Sequence, residues 1–243
     1  KGHFFPAGAD SFNWLWLSLS GFIGFVIGDL FLFKSYTIIG SRFSMLIMAL
    51  VPPLAALFGF LILKERIGYL NYLGMALTIG GISMAILSRE NENSRLTLKL
   101  PVKGVLFAFG GAAGQALGLV LSKLGMISGD PFASTQIRII AGIAGFSILV
   151  TYLKRWKRVY HALFHLKAMQ GIATGSFFGP FLGVSFSLLA VTHTQTGIAS
   201  TIMAIVPVLI IAPAVILFKQ KITIYEVIGA VISVSGVALF FIL

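Results

Sequence analysis

Ile47-Met48-Ala49-Leu50-Val51-Pro52-Pro53 and Ile202-Met203-Ala204-Ile205-Val206-Pro207 repeat one pattern at a distance of 155 positions. The register extends on both sides without a gap. Gly24 meets Gly179, Gly28 meets Gly183, Lys64 meets Lys219, Gly74 meets Gly229 and Gly81 meets Gly236. The chain is therefore internally duplicated. Both copies lie in apolar sequence, and many membrane transport folds are built from such internal repeats.

Composition names the solvent. The chain is 58% hydrophobic and 10% charged, with a mean hydropathy of +0.99. A soluble domain carries roughly 25% charged residues, so these polar side chains are too few to cover a globule. Lipid must be the outer medium. The excess of 18 basic over 7 acidic residues gives a net charge of +11. In a bilayer that excess marks cytoplasmic loops facing anionic lipid, so no nucleic-acid partner is expected. The absence of Cys excludes disulfides and thiolate metal sites.

A helix needs about 20 apolar residues to cross a bilayer. Eight stretches qualify: 14–37, 42–63, 68–87, 103–124, 131–152, 169–191, 197–218 and 225–243. The offset lays the first three over the last three, and 103–124 and 131–152 precede the second set. A unit of five helices used twice gives ten, so the chain is expected to lack the first two. Five is odd, which inverts the second unit relative to the first. The expected fold is an all-α polytopic membrane protein of inverted five-helix repeats, with eight of ten transmembrane helices present. Residues 1–88 hold three helices of the first repeat, 89–102 the connecting loop and 103–243 the second repeat. Inverted repeats place a substrate site at their interface near mid-membrane.

Asp29 and Arg138 are the leading charged candidates for that site, because intramembrane charges face a cavity or the bundle interior. Asp29 is read either as a protonatable coupling or binding group, or as a carboxylate neutralised by Lys34 or Arg138. Arg138 either receives an anionic solute group through its guanidinium fork or snorkels to the interface. Tyr36, Gln115, Ser185 and Ser187 are uncharged candidates for hydrogen bonds in a cavity. Pro52, Pro53 and Pro207 remove backbone donors inside spans and bend them, either as structural kinks or as breaks lining a wet cavity. Pro213 follows in the same span as Pro207. Lys34 and Lys123, near span ends, are read as snorkelling. One-turn glycine ladders at Gly24/Gly28, Gly110/Gly114/Gly118 and Gly175/Gly179/Gly183 suit close helix packing or sliding.

Other chemistry finds little support. His193 has no second ligand at metal spacing, and no cofactor site appears. The stretch Lys154–Lys167 carries Trp156, Val159, Tyr160, Leu163 and Leu166 at helical spacing among basic residues, as a helix lying on the cytoplasmic leaflet would. A membrane-embedded enzyme acting on lipid-linked substrates is the rival reading, with the scattered His161, His165 and His193 as its available groups.

Pro52-Pro53-Leu54 followed by Lys64-Glu65-Arg66, with Gly74 and Gly81 beyond, resembles the EamA-like ten-helix branch of the drug/metabolite transporter superfamily. Pro207, Lys219, Gly229 and Gly236 echo it; the second copy reads Lys219-Gln220-Lys221, so the acid survives only as Glu65. The resemblance implies secondary export of small metabolites, amino acids or drugs, with a proton as a possible coupling ion, in a bacterial cytoplasmic membrane. It also implies a cavity formed mainly by spans 14–37, 42–63, 169–191 and 197–218, and both termini in the cytoplasm. The charge count argues the reverse orientation. Arg42, Arg89, Arg95, Lys99, Lys103, Lys154, Arg155, Lys157, Arg158, Lys167, Lys219 and Lys221 fall on one side of the spans, while Lys1, Lys64, Arg66 and Lys123 fall on the other. The first side is then cytoplasmic. Because the chain has no Cys, single substitutions test this. An impermeant maleimide is expected to label Arg66→Cys on intact cells and Lys157→Cys only in inverted vesicles; the opposite pattern reverses the orientation.

Overall fold

The computed structural model describes residues 8–88, 101–126, 130–209 and 223–242. Helices account for nearly all of them: α1 (Ser11–Ser41), α2 (Phe43–Leu63), α3 (Tyr69–Ser88), α4 (Val102–Leu124), α5 (Pro131–Tyr152), α6 (Trp156–Leu163), α7 (Ala168–His193), α8 (Thr196–Met203), α9 (Val206–Leu209) and α10 (Ile224–Ile242). Among the described residues, α1 to α5 and α7 are long and apolar enough to cross a membrane, and α10 is a shorter apolar helix over Ile224–Phe240. The chain is an all-α polytopic membrane protein. The span expected at 197–218 is described to Leu209 and is split there into α8 and α9. Its remainder, with Pro213 and Lys219–Lys221, lies outside the described residues, as do most of loop 89–102 and the side chain of Pro207.

The ends of these helices follow from local sequence. Asp10 caps α1, with Asn13 N donating to its Oδ1 at 2.8 Å and Asp10 N donating to Asn13 Oδ1 at 3.0 Å. This reciprocal pair satisfies two orphan donors. Asp130 caps α5 through Ala133 N at 2.9 Å, and Pro131 takes the first turn, where its missing N–H costs nothing. The last turn of α1 breaks at Gly40, where the chain turns toward α2; its φ of 79° falls in the left-handed region that glycine enters without strain. Ser44 Oγ donates to the Gly40 carbonyl at 2.8 Å and lies 2.7 Å from Ser35 Oγ, bracing the turn.

The two halves meet where α3 crosses α10. Ideal Cβ atoms on Gly74 and Gly81 would stand 2.9 Å from the Gly236 carbonyl and 2.5 Å from the Gly229 carbonyl. Ser233 Oγ donates to the Thr78 carbonyl at 3.2 Å, and Thr78 Oγ1 reaches the Ser233 carbonyl at 3.5 Å. Thr78 and Ser233 are repeat equivalents, 155 positions apart, and the glycine contacts come in exchanged pairs. Gly74 with Gly236 maps onto Gly229 with Gly81. An exchange of this kind requires a two-fold relation, and the helices run antiparallel. The repeats are therefore inverted.

A second signature is rarer. A π-helical stretch occupies Phe22–Gly28 in α1, and another occupies Phe177–Gly183 in α7. The two match residue for residue at the same offset. Wide turns of this kind are uncommon and concentrate at functional sites.

The first-half stretch packs on α4. A Cβ on Gly114 would stand 2.9 Å from Gly28 Cα, and one on Gly118 would stand 2.9 Å from Gly24 Cα. Ser20 Oγ closes this seam, 2.7 Å from the Gly118 carbonyl and 2.6 Å from Ser122 Oγ. Gly175 and Gly179, on the matching face of α7, meet open space among the described residues. Below α5, the amphipathic α6 leaves Trp156, Tyr160 and Leu163 exposed, with Trp156 Nε1 donating to Thr151 Oγ1 at 2.9 Å.

Gly118→Ala is expected to destabilise the purified protein, because the added methyl enters backbone; overpacking typically costs about 1–3 kcal/mol. Gly80, with nothing within 4 Å of its Cβ position, provides the contrast. There an alanine should hold or raise the melting temperature through helix propensity.

Candidate functional site

Helices of both halves line a cavity of about 360 Å³. Its walls come in equivalent pairs. Leu32 and Ser187, Met45 and Ser200, Met48 and Met203, Ala49 and Ala204, and Val51 and Val206 all line it, and each pair is separated by 155 positions. The cavity therefore lies on the two-fold relation of the repeats.

Helix breaks open the wall. The backbone of α2 flattens at Ala49 and Leu50, with ψ of −9° and −6°, before Pro52 and Pro53 start the next helical stretch in its first turn. The missing N–H groups thus fall where none is needed. Ala204, with ψ of −10°, makes the same pause between α8 and α9, just before Val206 and Pro207. The residues flanking both pauses are the paired wall residues.

Of the residues singled out in the sequence, Tyr36, Gln115 and Arg138 line the cavity. Tyr36 Oη donates to Met45 Sδ at 3.3 Å. Asp29 stands immediately behind Gln115, whose Nε2 donates to Asp29 Oδ1 at 2.7 Å and reaches the Gly24 carbonyl at 3.4 Å. Neither Lys34 nor Arg138 pairs with Asp29 among the described residues. Ser185 is fully buried with its hydroxyl unpartnered and is not part of the cavity wall. Ser187, two residues on, is part of it. The walls extend beyond α1, α2, α7 and α8 to Ile82 of α3, Leu119 of α4 and Arg138 of α5. Met45 and Ser200 were not singled out in the sequence, and Met48 and Met203 were read there only as marks of the repeat.

Arg138 is 5% exposed. Its guanidinium carbon sits 4.6 Å from the centre of the Phe25 ring. Gly21 leaves room for the Arg138 backbone, so α1 and α5 touch main chain to main chain at this residue.

Lys123 does not snorkel. Its Nζ lies 2.7 Å from Glu65 Oε1 and donates to the Thr194 carbonyl at 2.6 Å. Lys64 adopts a left-handed φ of 59°, which ends α2 and folds Glu65 back over Gly59. Glu65 also accepts from Thr196 N at 2.8 Å and from Thr196 Oγ1. A carboxylate at the first turn of α8 is favoured by the helix dipole. Gln195 Nε2 donates to the Arg66 carbonyl at 2.8 Å. Three segments are thus tied together: the end of α2, the end of α4 and the start of α8. Gln115, Leu119 and Lys123 follow one another at one-turn steps on α4, so the knot lies about two turns along that helix from the cavity-lining Gln115.

Glu65 is 10% and Lys123 26% exposed. Glu65→Gln is expected to cost about 2 kcal/mol of stability, the scale of a charged hydrogen bond. A melting curve of the purified protein measures the loss, and Lys64→Gln should leave it unchanged.

The histidines do not converge. His165 and His193 stand at opposite ends of α7 and are exposed, roughly 40 Å apart at 1.5 Å per residue. No group of three metal-ligating side chains forms among the described residues.

A family model for EamA-like transporters matches residues 4–87 and again 102–242. No curated protein matches the sequence. A solved crystal structure of another protein is similar with a TM-score of 0.67 and 17% identity, over 94% of this chain and 75% of its own. That likeness concerns the fold. The two family matches cover nearly the whole chain and divide it at loop 89–102, and the chain belongs to the EamA-like transporter family.

Proposed function

We propose that this membrane transporter is a secondary carrier, moving a small metabolite, amino acid or drug outward across a bacterial cytoplasmic membrane by alternating access. The single observation that carries this reading is the pairing of the cavity wall. Equivalent residues from inverted repeats line one cavity, and helix breaks flank it in both halves. Inverted repeats give two conformations of related energy, open to opposite sides, by rocking one half against the other around a fixed site.

Asp29 supplies the coupling group in this reading. Protonation weakens the charge-assisted bond that Asp29 accepts from Gln115, and Gln115 faces the cavity. A proton taken up at Asp29 is in this way felt by the solute site.

The absence of Cys makes the test direct. In Met203→Cys, an impermeant thiol reagent is expected to reach the cavity from either side of proteoliposomes, one side at a time. A pH gradient should shift the balance of the two reactivities. With Asp29→Asn added, the two-sided access should remain and the pH response should vanish. Labelling from one side alone would refute alternating access. A pH response that survives Asp29→Asn would remove the coupling role.

A further inference from the structure

Arg138 is a buried cation facing a cavity with no acid to answer it. It is the one charged side chain among the described residues lining that space. It makes no ion pair among the described residues, and its buried Nε has no hydrogen-bond partner. The nearby acid Asp29 is turned to Gln115 instead. A charge inside a membrane is costly, and such groups pair with one another or mark a substrate path. The guanidinium cannot escape that cost by giving up its proton.

The surroundings hold the fork open. One face of the guanidinium stacks on Phe25, which leaves the in-plane donors free. Gly24 contributes no side chain where a Cβ would stand 3.6 Å from Nη2. Planar, paired donors match a carboxylate bidentately.

The rest of the wall limits the solute further. Uncharged polar groups are few: Tyr36, Gln115, Ser187 and Ser200. A phosphate dianion would bring a second charge with no second cation to meet it. An ammonium would find no carboxylate on the wall. Met45, Met48 and Met203, with Leu32, Val51 and Leu119, offer an apolar bed, and methionine adapts to irregular shapes. The volume of about 360 Å³ is at the small end of ligand pockets, which span about 300–1,000 Å³.

We infer that the cavity binds a small amphipathic monocarboxylate, its carboxylate on the Arg138 fork and its branched or aromatic body against the methionines. The inference names the solute class for the carrier reading above and rests on it for transport, but binding is measured separately.

The probes are α-ketoisocaproate, its neutral amide and leucine, which carries the same skeleton with an ammonium group. Binding is followed by calorimetry and thermal shift on the full-length protein in lipid nanodiscs. The ketoacid should bind and raise the melting temperature. Losing a charge-assisted bond weakens binding roughly tenfold or more, which is the drop expected for the amide, and leucine should also bind more weakly than the ketoacid. Arg138→Lys should keep a reduced preference for the acid, and Arg138→Gln should abolish the preference. The comparison of probes on the native protein needs no variant to fold. Equal binding of acid and amide, or a preference for leucine, overturns the inference. If the ketoacid binds but does not exchange across proteoliposomes, the carboxylate site stands and the carrier reading fails. If another solute exchanges while the ketoacid does not bind, the carrier stands and the carboxylate site fails.

Discussion

The contact of α3 with α10 through bare backbone sets the geometry of the molecule. Apolar side chains gain nothing by leaving lipid for one another, so helix association in a membrane rests on close packing and hydrogen bonds. Gly74, Gly81, Gly229 and Gly236 let two helices approach until carbonyls touch the facing chain, and Thr78 and Ser233 bond across the seam. Because each residue faces the equivalent of its neighbour, the contact also fixes how the two halves are related. A side chain at any of the four glycines would separate the halves and displace the axis.

The cavity is a consequence of that axis. Once α3 and α10 are locked, equivalent segments of α2 and of α8 with α9 come to face each other, and their proline-flanked pauses lie opposite. The second glycine seam, between α1 and α4, brings Gln115 against Asp29 and sets the π-helical stretch of α1 beside the guanidinium of Arg138. The charged groups end up segregated. The acid is engaged behind the wall, and the cation faces the open space.

Much of this architecture was legible in the sequence because duplication is a register statement. An offset of 155 residues pairs glycine with glycine and Pro52 with Pro207, and the apolar lengths count the spans. The candidates Tyr36, Gln115 and Arg138 were found as polar residues in apolar spans, which is a cost argument and needs no structure. Residues beyond those were harder to read. Ser185 and Ser187 stand about 200° apart around the helix, so one at most faces the cavity, and which one depends on the π-helical stretch Phe177–Gly183 before them. That stretch shifts the facing of every later side chain by part of a turn. Lys123 reads as a snorkelling end residue until the left-handed turn at Lys64 places Glu65 beneath it. A backbone reversal of that kind leaves no periodic trace.

The knot around Glu65 has a thermodynamic consequence. The backbone plan is two-fold symmetric, yet the chemistry at its two ends is not. Where the first half has Glu65, the second has Gln220, and where α8 offers Thr196, the first half offers Ser41. The first-half turn is tied to Lys123 by an ion pair, and its equivalent in the second half carries Gln220 in place of the acid. In a carrier that alternates, the two open states then differ in free energy before any solute arrives. A difference of about 1.4 kcal/mol already skews such a population tenfold. On the carrier reading proposed above, this one acid biases which way the empty molecule faces and gives a duplicated, non-directional scaffold a resting direction.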